Sequence, residues 1–135
     1  MTQWHLKSKR KSSAGLRKSV DRCTKKLAWK GREPTETTID QKDKRFTVRG
    51  RGGDKKLALA LANHTSLVDP KTKKVQKAQI VRVIKNTANR DYVRRNIITK
   101  GAILEVQVEE ETKQAIVTNR PGQHGVVHAK IIDAS

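Results

Sequence analysis

Leu57-Ala58-Leu59-Ala60-Leu61-Ala62 can be read in two ways, and the choice sets the class of the whole chain. Leucine and alanine are strong helix formers, so propensity favours a helix. Strict period two favours a strand, with leucine turned inward and alanine on the other side. The flanking turns favour the strand. Gly50-Arg51-Gly52-Gly53-Asp54 precedes the run and Asp69-Pro70-Lys71-Thr72 follows it, which leaves room for a short element only.

Working outward, the neighbouring segments carry the same period. Lys44-Arg45-Phe46-Thr47-Val48-Arg49 alternates, with Phe46 and Val48 on one face, and Thr35 to Ile39 is β-prone. Between Lys74 and Lys85 the apolar phase slips at Ile80-Val81, the mark of a bulge or of a strand crossing between sheet faces. Asn89 to Asn96 predicts a helix of about two turns opening on an Asn cap. Residues 103–118 read as a hairpin turning at Glu109-Glu110-Glu111-Thr112. Arg120 to Gly125 reads as a loop, and Val127, Ala129 and Ile131 as a last strand. The sum is a mainly β chain: a small β-barrel or sandwich of about six to eight short strands with one short helix.

The globular part begins after Gly31-Arg32-Glu33-Pro34, so the expected division is residues 1–34 and residues 35–135. The first 34 residues form a basic extended N-terminal arm. They hold Lys7, Lys9, Arg10, Lys11, Arg17, Lys18, Arg22, Lys25, Lys26, Lys30 and Arg32 against Asp21 and Glu33, a net charge of +9. The 135-residue chain carries +18, so a quarter of its length holds half of the excess. A segment this cationic and this poor in apolar residues cannot offset its ordering entropy by burial, so it is expected to be disordered when free. Leu16, Val20 and Leu27 have helical spacing, which predicts a short helix over 16–29 once the charge is neutralised.

Composition narrows the function. Hydrophobic content is 34% and charged content 33%, so the core is thin and the surface heavily ionised. A pI near 10.6 with clustered Lys and Arg is the footprint of a nucleic-acid binder. No apolar run reaches the ~20 residues of a membrane span, and no secretory h-region opens the chain. Cys23 is the single cysteine, which excludes an internal disulfide and fits a reducing, intracellular compartment.

No catalytic set emerges. His5, His64, His124 and His128 lie in no metal-binding pattern, and the acidic run 109–111 reads as a solvated turn. Gly50-Arg51-Gly52-Gly53 lacks phosphate-loop spacing, although its glycines let backbone N–H groups approach phosphates beside Arg49 and Arg51. With Lys55, Arg90, Arg94, Arg95, Lys100 and Arg120, these suggest a positively charged end or side of the barrel. Arg94 and Arg95 point about 100° apart on a helix, so one can grip phosphate while the other packs or pairs with Asp91. Trp4 and Trp29 can stack on exposed bases or pin the arm in place.

Several blocks are familiar as they stand. Gly31-Arg32-Glu33-Pro34-Thr35-Glu36-Thr37, Asp69-Pro70-Lys71-Thr72, Tyr92-Val93-Arg94-Arg95-Asn96-Ile97-Ile98-Thr99-Lys100-Gly101-Ala102-Ile103 and Arg120-Pro121-Gly122-Gln123 with Gly125-Val126-Val127 occur in that order. Together they resemble the eukaryote-type small-subunit ribosomal protein eight family in its short archaeal form. The Tyr92 to Ile103 block is the most specific. The resemblance implies a β-barrel-like domain with a basic extension, cytoplasmic, within the small ribosomal subunit. Its expected partners are small-subunit rRNA and neighbouring small-subunit proteins. It implies no enzymatic activity, cofactor, metal, small-molecule substrate or membrane. The alternative with the same RNA chemistry is a ribosome-assembly factor or RNA chaperone. An RNA-processing enzyme would need paired acids, a metal cluster or an activated nucleophile.

Overall fold

The computed structural model describes residues 2–5, 8–18, 26–108 and 111–132, and the chain divides into two units, Met1–Pro34 and Thr35–Ser135. In the first, β1 (Thr2–Trp4) pairs antiparallel with β2 (Lys30–Arg32), which follows a 3-10 turn at Leu27–Trp29. The segment therefore doubles back so that its two ends lie side by side, instead of running out as one extended line. None of its described residues is buried, and Leu16 and Leu27 are 73% and 64% exposed. Half of the helix expected over 16–29, residues 19–25, lies outside the described residues. The described remainder is not α-helical: Leu16 bridges Arg10 and Leu27–Trp29 form the 3-10 turn.

The second unit is mainly strand. Its elements are β3 (Thr37–Ile39), β4 (Lys44–Arg49), β5 (Lys55–Ala62), β6 (His64–Val68), β7 (Val75–Lys85), α1 (Arg90–Arg94), β8 (Ile97–Ile98), β9 (Ile103–Val108), β10 (Glu111–Val117), α2 (Pro121–His124) and β11 (His128–Ile131). Among the described residues this is nine strands and two short helices; β6 and β8 went unread, β6 because its buried face mixes Thr65 with Leu67 and β8 because it is two residues long. Arg120 to Gly125 contains α2, not only a loop. Pro121 occupies its first turn, where a missing N–H costs nothing, and left-handed Gly125 ends it.

Five strands close into a barrel in the order β10-β11-β6-β7-β9, antiparallel except for β11 beside β6. The others form a sheet ordered β4-β5-β3-β8. One core serves both: Leu59, Ala62 and Ile98 from the sheet side join Leu67, Ile80, Leu104, Val106 and Val117 from the barrel. Ala78, Ala115 and Ala129 also point inward, since a barrel of so few strands has a narrow interior that small side chains fill. This is how a chain with 34% hydrophobic residues closes a core at all.

The strand assigned to Leu57–Ala62 is present, but its faces are not as expected. Leu57 is 51% exposed, while Ala58 and Ala62 are 1% and 0% exposed. Adjacent Ala58 and Leu59 point to opposite faces and both are buried, so both faces of β5 are covered there and alternation does not separate inside from outside. Phe46, on edge strand β4, is 40% exposed. The bulge at Ile80-Val81 is real. The ladder to β9 shifts between Ile80 and Arg82, and again between Val83 and Lys85, which turns Val81 and Ile84 to solvent.

Candidate nucleic-acid interface

In the first unit a second reversal lies inside the clasp of β1 and β2. Arg10 bridges Leu16, Lys11 N–H donates to the Gly15 carbonyl at 2.8 Å, and Arg17 N–H donates to the Lys9 carbonyl at 2.8 Å. The turn passes through Ala14 at φ 63°. It gathers Lys9, Arg10, Lys11, Arg17 and Lys18 on ten residues with no acid among them. All five are exposed, and none forms an ion pair among the described residues. The two arginines instead donate to backbone: Arg17 Nε to the Arg10 carbonyl at 3.3 Å and Arg10 Nη1 to the Ala14 carbonyl at 3.5 Å.

At the base of the clasp, Trp4 stands opposite Lys30, and His5 N–H donates to the Trp29 carbonyl at 2.8 Å. The His5 ring packs directly on Gly31, where a Cβ would collide with it. Lys26 Nζ sits 5.4 Å from the Trp29 ring centroid, a cation–π contact. A base stacking on Trp29 must therefore take the other face or displace Lys26. Arg32 is exposed at the outer end of the ladder. Lys7, Arg22, Lys25 and Cys23 lie outside the described residues, as do Glu109 and Glu110.

In the second unit the expected loop cations fall into two groups. Arg49 faces Lys55 across the β4–β5 ladder, with Arg51 in the connecting turn, its side chain outside the described set. Gly52 and Gly53 hold φ 78° and 90° there, backbone that lets a phosphate approach the N–H groups. The others lie on α1 and in later turns, two of which reach Thr35-Glu36. Arg95 ion-pairs with Glu36, and the Gly122 turn beyond Arg120 packs so closely on Thr35 that a Cβ would sit 3.0 Å from its Cβ. Lys100 projects from a turn whose Gly101 N–H donates to the Val117 carbonyl at 2.8 Å, three residues before Arg120. Buried Asn86 anchors this turn, its Nδ2 donating to Thr99 Oγ1 at 2.9 Å.

Arg94 and Arg95 do diverge. Arg94 lies 3.5 Å from Asp91 and is 81% exposed at its side chain, while Arg95 is tied to Glu36. The sequence reading missed other exposed cations that form no ion pair with a described residue, among them Lys44, Lys56, Lys73, Lys74 and Lys77. Lys71-Thr72-Lys73-Lys74 was legible as a charge run, yet its turn chemistry draws attention first. Asp69 caps that turn, accepting from Lys71 N–H at 2.9 Å and Thr72 Oγ1 at 2.8 Å. Those donors, the Lys71 amide first, hold its carboxyl below the ordinary range. The hydrogen bond and charge of Lys113, 2.9 Å away, do the same for Glu111. Among the described residues no three His, Cys, Asp or Glu side chains converge as metal ligands, and no helix is long and apolar enough to cross a membrane.

Comparison with known proteins gives one answer. The family model described as Ribosomal protein S8e matches residues 4–132. Small ribosomal subunit protein eS8 of Methanobrevibacter smithii is 48% identical over 119 residues, 88% of this chain and 90% of that protein. The protein of the same name from Methanococcus aeolicus is 44% identical over 130 residues, 96% of this chain and 97% of that protein. That of Hyperthermus butylicus is 41% identical over 123 residues, 91% of this chain and 88% of that protein.

Proposed function

This chain belongs to the ribosomal protein S8e family, and from that membership we propose that it is a structural constituent of the small ribosomal subunit that binds small-subunit rRNA. Residues 1–34 act as the rRNA-binding arm, and residues 35–135 as the body that docks on the RNA by its basic loops. The protein works in the cytoplasm, within the ribosome, next to other small-subunit proteins, and no reaction is assigned to it. The observation that carries this reading is the Lys9–Lys18 turn, five exposed cations on a backbone with no buried side chain and no carboxylate partner among the described residues. Such a segment gains little by folding alone and much by neutralising phosphates, so ordering and binding are one event. The body's basic turns read RNA shape more than sequence.

Deleting residues 1–32 removes all eleven cations of the arm. If half of them contact phosphates, the slope of log affinity against log salt flattens by about 4. Filter binding to deproteinised small-subunit rRNA across a salt series measures this, and an unchanged slope would defeat the division of labour. Salt-washed subunits separate a structural constituent, retained at one copy per particle, from a transient assembly factor, which washes off.

A further inference from the structure

A cleft of 340 Å³ opens on the second unit between the start of β4, the β6–β7 hairpin and the segment entering β11. Leu59 and Val127 form its apolar floor, beside buried Thr65. The floor is stitched by backbone and hydroxyl: Ser66 N–H donates to the Val127 carbonyl at 2.9 Å, and Thr65 Oγ1 donates to it at 3.1 Å. Arg45 stands at one rim, opposite Leu59 on the β4–β5 ladder. Ser66 and Lys77 face each other at the other rim, and His64 lies two residues from Ser66 on the same face of β6.

The rim is polar and largely unpartnered. Asp43 is occupied, its Oδ1 accepting from Asn63 N–H at 2.7 Å and His64 N–H at 3.4 Å, and its Oδ2 lying 3.6 Å from Arg45. The His64 ring, the Ser66 hydroxyl and the Lys77 ammonium make no hydrogen bond or ion pair with a described residue. An apolar floor beneath a ring of free donors matches a nucleobase, a flat apolar body with polar edges. Lys77 and Arg45 suit the phosphate that follows the base. The volume lies at the low end of ligand sites, enough for one nucleotide and far too small for a helix. Single-stranded RNA presents such unstacked bases, and histidine is one of the side chains on which they stack.

We propose that this cleft receives one unstacked nucleotide of small-subunit rRNA, the base against Leu59 and Val127 beside His64, the phosphate toward Lys77 and Arg45. The inference rests on the rRNA-binding reading above and adds a discrete subsite to it. The test uses the full chain in two variants. Ser66→Trp fills the cleft, and His64→Ala removes the stacking ring without changing the fold's hydrogen bonds. Affinity for deproteinised small-subunit rRNA is expected to fall about 5- to 150-fold in each, the range of one lost base stack, with the salt slope unchanged. AMP, CMP, GMP and UMP, titrated into isotope-labelled protein, place the subsite. At least one is expected to shift the amides of His64, Ser66 and Val127, and ribose 5-phosphate is not. Wild-type affinity in His64→Ala, or nucleotide shifts spread evenly over surface lysines and reproduced by ribose 5-phosphate, overturns the subsite. A steep wild-type salt slope in that same experiment leaves the rRNA-binding reading standing, and a flat one removes that reading instead.

Discussion

Met1–Pro34 and Thr35–Ser135 both present lysine and arginine to solvent, but on different foundations. The second holds them on a backbone anchored by Leu104, Val106, Ala115 and Val117, each at most 2% exposed, and the first on a backbone with no buried side chain among its described residues. The carboxylates differ as well. In the second unit Glu36, Asp91 and Glu105 meet Arg95, Arg94 and Arg82. In the first, the Lys9–Lys18 turn meets no acid among the described residues. A prefolded basic surface with part of its charge cancelled suits shape recognition, because its cations are already placed. A basic segment without a core supplies attraction in bulk and takes its final shape from the partner.

The strongest way to break this contrast is to cut one leucine in each unit. Leu104→Ala in the barrel core is expected to lower stability by about 2–5 kcal/mol, and Leu27→Ala in the first unit by less than ~0.5 kcal/mol. Denaturant melts of the two variants check this, and equal losses would mean the first unit has a core of its own. Next in size is charge. Replacing Arg10, Lys11, Arg17 and Lys18 together by Gln is expected to flatten the salt slope of rRNA binding by about 3 without moving the melt. A melt that moves with the slope would show that these cations hold structure as well.

Two smaller effects sharpen the picture of the body. Gly125 holds φ 72°, and a Cβ there would meet Leu57 Cβ at 2.8 Å. Gly125→Ala is expected to destabilise by about 1–3 kcal/mol, and wild-type thermal stability would mean that α2 does not bear on β5. The smallest effect is electrostatic. The folded Asp69 carboxyl titrates below its ordinary range, so its contribution is present at neutral pH and lost as pH falls through that depressed value. Asp69→Asn is therefore expected to make the acid limb of the stability profile shallower and to speed exchange of the Lys71 amide, both measurable by NMR across pH 2 to 6.

Much of this was legible from residue order. The hairpin of β9 and β10, the phase slip in β7, the Asn89 cap and the Asp69 turn each depend on neighbours a few positions apart, and each is present, although β10 begins at Glu111, inside the turn expected over 109–112. The family was legible in the Tyr92 to Ile103 block. The burial of Ala58 in place of Leu57 was not legible, because coverage of β5 on both faces comes from elements distant in sequence. Nor was the α2 helix, four residues long and too short for any periodicity. The cleft residues Arg45, His64 and Lys77 carry no common motif, since three separate strands supply them.

Local chemistry alone settled the strand-rich class and the cationic first segment, because alternation and charge density are properties of adjacent residues. The folded arrangement settled which face of each strand is dry, which arginine of the Arg94-Arg95 pair is tied down, and where a pocket opens. Those outcomes depend on partners such as Glu36, 59 positions from Arg95, and no pattern in either segment encodes the meeting.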